Sequence, residues 1–228
     1  MKASDDPVGA VATLDEPTRR RLYDYVAGSR HPVGRDEAAR ALGIARVTAA
    51  FHLDRLAAQG LLDISHRRLT GRSGPGAGRP SKLYRRAADE VAVTLPPRQY
   101  TLAGTLLAEA IESAEAQGIA PREALARCAR EHGVALAGSA DADDPLEILQ
   151  GAGYEPYPDG SGVTRLANCP FHQLAQVHTE LVCGMNLHLV QGLLDALPVA
   201  THVAELDPGP DRCCVRLNRR STPPGGER

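Results

Sequence analysis

Four of the five cysteines fall in the last sixty residues of a 228-residue chain, as Cys169, Cys183, Cys213 and Cys214. The first sits in Asn168-Cys-Pro-Phe-His172, followed by His178 and Leu181-Val-Cys183. Residues 1–6 are polar and acidic with no apolar run behind them, and no stretch of eighteen apolar residues occurs, so the expected compartment is the cytoplasm, with no membrane partner. Thiols stay reduced there, and clustered cysteines then read as metal ligands or redox groups rather than structural disulfides. Cys169 and Cys183 are fourteen positions apart. On one unbroken helix that separation is about 21 Å, so a shared metal requires a break. Thr179 is the expected break, an N-cap with Glu180 in the first turn, leaving His172–Val177 as a separate short helix. Cys183 then lies near a helix N-terminus, where the dipole favours thiolate. A strand over residues 212–217 puts Cys213, Val215 and Leu217 on one face, making Cys213 the inward ligand and Cys214 its substitute. Thiolates from three elements suit iron–sulfur, zinc or copper.

The remaining composition constrains the cores. Hydrophobic residues make up 43% of the chain, with no Trp and two Phe, so the cores are built from Leu, Val, Ile and Ala. The net charge of −2 is unevenly spread. Residues 1–90 hold 16 Lys and Arg against 11 Asp and Glu, and residues 91–228 hold 10 against 17. Residues 64–86 carry Arg67, Arg68, Arg72, Arg79, Lys82, Arg85 and Arg86 and no acid, the kind of stripe that meets a phosphate backbone.

The pattern over 14–27 predicts a helix capped by Asp15, with Glu16 and Pro17 in its first turn and Leu22, Tyr23 and Val26 inward. A short helix follows at 35–42 and a third at 45–59, where Ala49, Leu53 and Leu56 share one face. Two helices joined by a Gly-containing turn describe a helix-turn-helix. Strands at 61–65 and 82–86 flank a Gly- and Pro-rich 70–81 stretch and make it winged. The segment Gly43-Ile-Ala-Arg-Val-Thr-Ala-Ala-Phe-His-Leu-Asp-Arg-Leu-Ala-Ala-Gln-Gly-Leu-Leu62 resembles the recognition-helix segment of ArsR-type winged-helix regulators, and Gly78-Arg-Pro-Ser-Lys-Leu-Tyr84 resembles their wing. The resemblance implies double-stranded DNA as partner. A recognition helix fits the major groove. Arg46 and His52 are the expected polar readers, Ala50 and Phe51 the expected thymine-methyl contacts, with Val47, Thr48 and Arg55 around them. Arg67, Arg68, Arg72, Arg79 and Lys82 are the expected backbone contacts.

Pro96-Pro97 predicts a boundary, with helices at 98–117 and 121–137. The first has a wide apolar stripe (Leu102, Ala103, Leu106, Leu107, Ala110, Ile111, Ala114), expected to pack on the DNA-binding domain and on a second subunit, giving a homodimer and a two-fold operator. Cys128 sits in an apolar row and reads as a buried inert thiol. From residue 145 a short helix, two hairpin signals and a helix at 180–197 describe an α+β domain. The expected organisation is mainly α with small β: a winged helix-turn-helix over 12–90, a helical linker and dimerisation region over 96–140, a cysteine-containing α+β sensor domain over 145–220, and a disordered tail over 221–228.

Asn168-Cys-Pro…Leu181-Val-Cys183 and Gly209…Arg212-Cys…Arg216-Leu217 resemble the C-terminal pattern of SufR-type iron–sulfur-binding repressors. That resemblance implies a transcription regulator, not an enzyme, whose DNA binding is controlled by a 2Fe–2S or 4Fe–4S cluster. Zinc-, thiol-redox- or small-molecule-responsive repressors of the same fold are the alternatives. The family pattern has a further cysteine near Glu205-Leu206, where this chain has none. The fourth ligand is therefore left among Cys214, His172, His178, Glu205, a partner-subunit group and an exogenous ligand. No phosphate loop, His-Glu-x-x-His pair or nucleophile elbow argues for an enzyme.

Overall fold

The computed structural model describes residues 6–67, 80–198, 202–209 and 212–220. The chain divides into two compact units, residues 1–93 and 94–228.

In the first unit a short helix α1 (Pro7–Ala12) and a 3-10 turn (Thr13–Asp15) precede α2 (Pro17–Gly28). Glu16, not Asp15, is the N-cap: its carboxylate accepts from Thr18 N (2.9 Å) and Arg19 N (2.7 Å). Both residues are acidic, and only the one immediately before Pro17 has the extended backbone a cap requires (φ −74°, ψ 122°). Then follow β1 (Val33–Gly34), α3 (Arg35–Leu42) and α4 (Arg46–Ala58). Gly43 ends α3 at φ 67°, a left-handed conformation that costs glycine nothing. The strands β2 (Leu62–Arg67) and β3 (Ser81–Arg86) pair antiparallel from Leu62↔Arg86 to Arg67↔Ser81, and β1 adds to the other edge of β3. Leu22, Val26, Val33, Ala38, Ala49, Leu53, Leu56, Leu62 and Tyr84 fill the core beneath this sheet. Each fully buried leucine there contributes about 1.5–3 kcal/mol.

Burial acts to raise the Glu16 carboxyl, but the two backbone N–H donors outweigh it and hold it at about 2, against an ordinary 4.5. A carboxyl lowered in the folded state stabilises above its unfolded value and loses that contribution as pH falls. Wild-type thermal stability should therefore drop more steeply than that of Glu16→Gln between about pH 4.5 and 2. Parallel melting curves for the two proteins would contradict the cap.

In the second unit, α5 (Tyr100–Gln117) and α6 (Pro121–Ser139) lead into α7 (Pro145–Gly151) and the strands β4 (Pro156–Pro158) and β5 (Val163–Leu166). The helices α8 (His172–Val177) and α9 (Thr179–Ala196) follow, then β6 (His202–Leu206) and β7 (Val215–Arg219). The strands form an antiparallel sheet of order β4-β5-β7-β6. One core joins all of this. Ala103, Leu106, Ala110 and Ala114 of α5, and Leu125, Cys128 and Ala129 of α6, share it with Leu189, Leu193, Val215 and Leu217. Residues 96–140 are therefore not a separate linker region: their inward faces belong to the core of the unit that carries the cysteines. Ile111 on α5 is left exposed.

The two long helices α6 and α9 meet through glycine. A Cβ on Gly133 would fall on the backbone of Leu189 and within 2.7 Å of Leu193 N, and one on Gly192 would fall on the carbonyl of Arg130. Only a residue without a side chain lets the two backbones approach so closely. The expected tail at 221–228 lies outside the described residues.

Candidate metal centre

Three segments of chain bring the thiols together. Cys169 lies in the loop between β5 and α8, Cys183 on α9, and Cys213 and Cys214 in the turn before β7. The predicted helix break exists: α8 ends and α9 begins at His178 (φ −121°, ψ 51°). Thr179 does not cap α9, however; its hydroxyl donates back to Ala175 O at 2.7 Å. The predicted strand also starts late. Cys213 and Cys214 precede β7, so strand alternation does not separate them, and both are buried, at 2% and 7% exposure. The Cys213 N–H donates to Leu166 O (2.9 Å), and the Asp207 N–H to Cys214 O (2.7 Å), which pins this turn between β5 and β6.

The four sulfurs form one hydrogen-bonded group. The Cys213 thiol interacts with those of Cys169 and Cys214, and the Cys214 thiol with that of Cys183. Cys169, Cys214, the Val215 backbone N–H and Asn186 all act on the Cys213 Sγ, and together they hold its thiol well below the ordinary range against the cost of burial. Cys183 is lowered by the Cys214 thiol against the cost of burial. Cys169 and Cys214 are pushed up by the neighbouring thiols and by burial. Cys169 nevertheless has a backbone donor of its own, the N–H of Phe171. Cys128 on α6 is a buried thiol raised by burial and by Glu131 and Glu109, in keeping with the inert position expected of it.

The loop that carries Cys169 is held from the start of the unit. Arg98 Nη1 donates to Cys169 O (3.0 Å) and to the Asn168 side-chain oxygen. Asn168 Nδ2 in turn donates to Gly153 O (2.6 Å) and Pro97 O (3.1 Å). The Gln99 N–H donates to Pro170 O (3.0 Å).

The other proposed ligands stand apart from this group. His172 is exposed and bonded to Gln176 (3.1 Å), and His178 is exposed at the helix junction. Glu205 is exposed on β6 and accepts from Arg216 (3.1 Å) and Asn218 (2.7 Å). The fourth sulfur is thus Cys214, adjacent in sequence to Cys213. Among the described residues no group of three or more His, Cys, Asp or Glu side chains is placed to hold a metal ion as the chain stands.

In the first unit, Val47 and Phe51 project from α4 at 75% and 64% exposure, with Arg46 and Arg55 exposed and Thr48 and Ala50 half-buried. Arg46 is ion-paired to Asp36. His52 does not face outward as expected. Its side chain is 13% exposed, and Nδ1 lies 3.5 Å from Glu16 Oε2. Lys82 and Tyr84 both donate to Asp54 Oδ1 at 2.7 Å, which ties β3 to α4. Arg67 ends β2 exposed. Arg68, Arg72 and Arg79 lie outside the described residues. No helix among the described residues is long and apolar enough to cross a membrane.

No family model matches the chain, and no curated protein matches it. Among solved structures it aligns with human N-acetylserotonin methyltransferase in complex with SAM, at 12% identity and a TM-score of 0.25, over 89% of this chain and 52% of that one. The chain thus spans about half the length of that protein. This corrects the reading drawn from the motifs. The structural match is to an enzyme and not to an ArsR-type or SufR-type regulator, so the assignment to those families, the repressor function with the keywords attached to it, and the statement that the chain is no enzyme are all withdrawn. A TM-score this low carries no argument for methyl transfer by this chain either.

Proposed function

We propose that the unit spanning residues 94–220 is a binding module for a thiolate-ligated inorganic centre, an iron–sulfur cluster, with zinc as the alternative occupant. The observation that supports it is the convergence of four buried cysteine sulfurs, from three separate segments, into one group. The donor chemistry fits. Four soft sulfurs match the ligand number of both 2Fe–2S and 4Fe–4S clusters and of a structural zinc site. Backbone N–H groups of Phe171 and Val215 already point at Cys169 and Cys213, and such donors offset thiolate charge in a buried site. Cys169, Cys183, Cys213 and Cys214 would hold the centre, and the sulfurs must open from their mutual hydrogen bonds to do so. A bound cluster would supply one-electron chemistry. The chain itself contributes shielding by Tyr154 and Phe171, both almost wholly buried, and a fixed Cys169 loop through Arg98 and Asn168. A reducing compartment such as the cytoplasm suits four free thiols.

The test is anaerobic purification of the full chain with assay of iron, acid-labile sulfide and zinc. Iron and sulfide in equal amounts support the cluster, and stoichiometric zinc without sulfide supports the alternative. A chain carrying none of the three, before and after reconstitution, rejects both.

As partners we propose a second copy of the chain, through the face of α5 that leaves Ile111 exposed, and double-stranded DNA for the first unit, taken as a winged helix-turn-helix; no regulatory role is attached to either. The exposed outer face of α4, beside the basic strand β3, supports the DNA partner. Anisotropy with a labelled duplex, showing affinity that falls steeply with salt and with Arg55→Ala, would support it; no binding at low salt would remove it.

A further inference from the structure

Two polar side chains lie in the core beside the thiols, and they are bonded to each other. Asn186 on α9 is 0% exposed and Tyr154 is 3% exposed. Tyr154 Oη donates to Asn186 Oδ1 at 2.5 Å, and Asn186 Nδ2 reaches Cys213 Sγ at 3.2 Å. The arrangement has a direction. An amide oxygen carries no hydrogen, so the phenol must be the donor to it. With Oδ1 taken by Tyr154, the amide is fixed with its N–H toward the sulfur. A fully buried amide costs free energy unless bonded, and here one of its bonds is spent on a thiol rather than on backbone. The contacted sulfur is also the one on which the other thiols converge.

We propose that Asn186, oriented by Tyr154, is a positioning residue that sets the electron affinity of the thiolate centre through its hydrogen bond to Cys213. The inference rests on the reading of the four thiols as a ligand set. The physical reason is electrostatic. A donor aimed at a ligand sulfur favours the state with more negative charge on that sulfur, which is the reduced state, and hydrogen bonds to sulfur are among the factors that set cluster potentials. Removing the donor makes reduction harder and moves the potential negative.

The experiment is a mediated dithionite titration of the anaerobically prepared full chain, followed by absorption and electron paramagnetic resonance. The titrant gives up one electron and the centre takes it; no bond to the protein is made or broken. Asn186→Leu should lower the equilibrium constant for reduction about tenfold, about 59 mV for one electron. Tyr154→Phe, which keeps the ring and frees the amide, should shift it in the same direction by less. Iron and sulfide content should match the wild type in both. Full iron and sulfide with unchanged potentials in both variants would overturn the inference while leaving the ligand set intact. Should Asn186→Leu fail to fold, Tyr154→Phe alone decides. A second probe covers a zinc-type site: cobalt(II) added to the metal-free chain should give a thiolate charge-transfer band that moves to lower energy in the variants, and an unmoved band overturns the inference. A wild-type chain that takes up neither iron nor cobalt refutes the ligand set itself, and does so before any variant is made.

Discussion

Cys213→Ser should abolish retention of iron and sulfide, and it should do so more completely than the same change at Cys169, Cys183 or Cys214. Cys213 is the sulfur on which two other thiols, Asn186 and the Val215 N–H all converge, so its loss removes a ligand and the hub of the group together. Serine keeps the volume but supplies a hard, poorly ionised oxygen in place of a soft thiolate. Single changes at the other three positions should leave partial and more oxygen-labile loading. Cys128→Ser is the control; that thiol sits on α6, and its loading should equal the wild type. Measured iron and sulfide per chain decides the matter. Retention by Cys213→Ser at the wild-type level would show that the sulfur is not a ligand.

Gly133→Ala and Gly192→Ala should be among the most destabilising single-methyl additions available in the second unit. At each position the new Cβ would meet backbone of the opposing helix, which cannot turn aside as a side-chain tip can. Overpacking a well-filled core usually costs about 1–3 kcal/mol, and contact with fixed backbone puts these changes at or beyond the upper end. For a unit of this size that corresponds to a loss of roughly 10 °C in melting temperature. Gly138→Ala on α6 and Gly184→Ala on α9 are internal controls, since nothing lies within 4 Å of a Cβ at either position. They should be neutral or gain about 1 kcal/mol from better helix propensity. Equal melting points for Gly133→Ala and Gly138→Ala would show that the two helices do not meet through glycine.

Local punctuation made most elements legible. Gly43, Gly60, Gly118 and Pro121 mark helix ends that the structure places within a residue or two. The break between Cys169 and Cys183 followed from a distance argument, since a continuous helix would hold the two sulfurs too far apart. Features that depend on what lies across the fold were not legible. Cys214 was ranked below Cys213 because alternation was applied to a strand that begins only at Val215. The partners of Asp54 are invisible in sequence, because Lys82 and Tyr84, about thirty residues on, reach it only once β3 is in place. The two-residue strand β1 carries too few positions for any period. Gly133 and Gly192 look like weak points in helices until the two backbones are brought together. Asn186 is one of several polar residues in α9, and only the fold shows that it alone among them is buried with Val182, Met185, Leu189 and Leu193 and faces Cys213.

Native mass spectrometry of the anaerobically reconstituted full chain tests the central claim most directly. The account predicts a discrete mass increment of iron plus sulfide per chain, released together on acidification and absent from the chain with Cys169, Cys183, Cys213 and Cys214 all replaced by serine. An increment that persists in the four-serine chain, or a wild-type chain that shows only its bare mass after reconstitution, would contradict it.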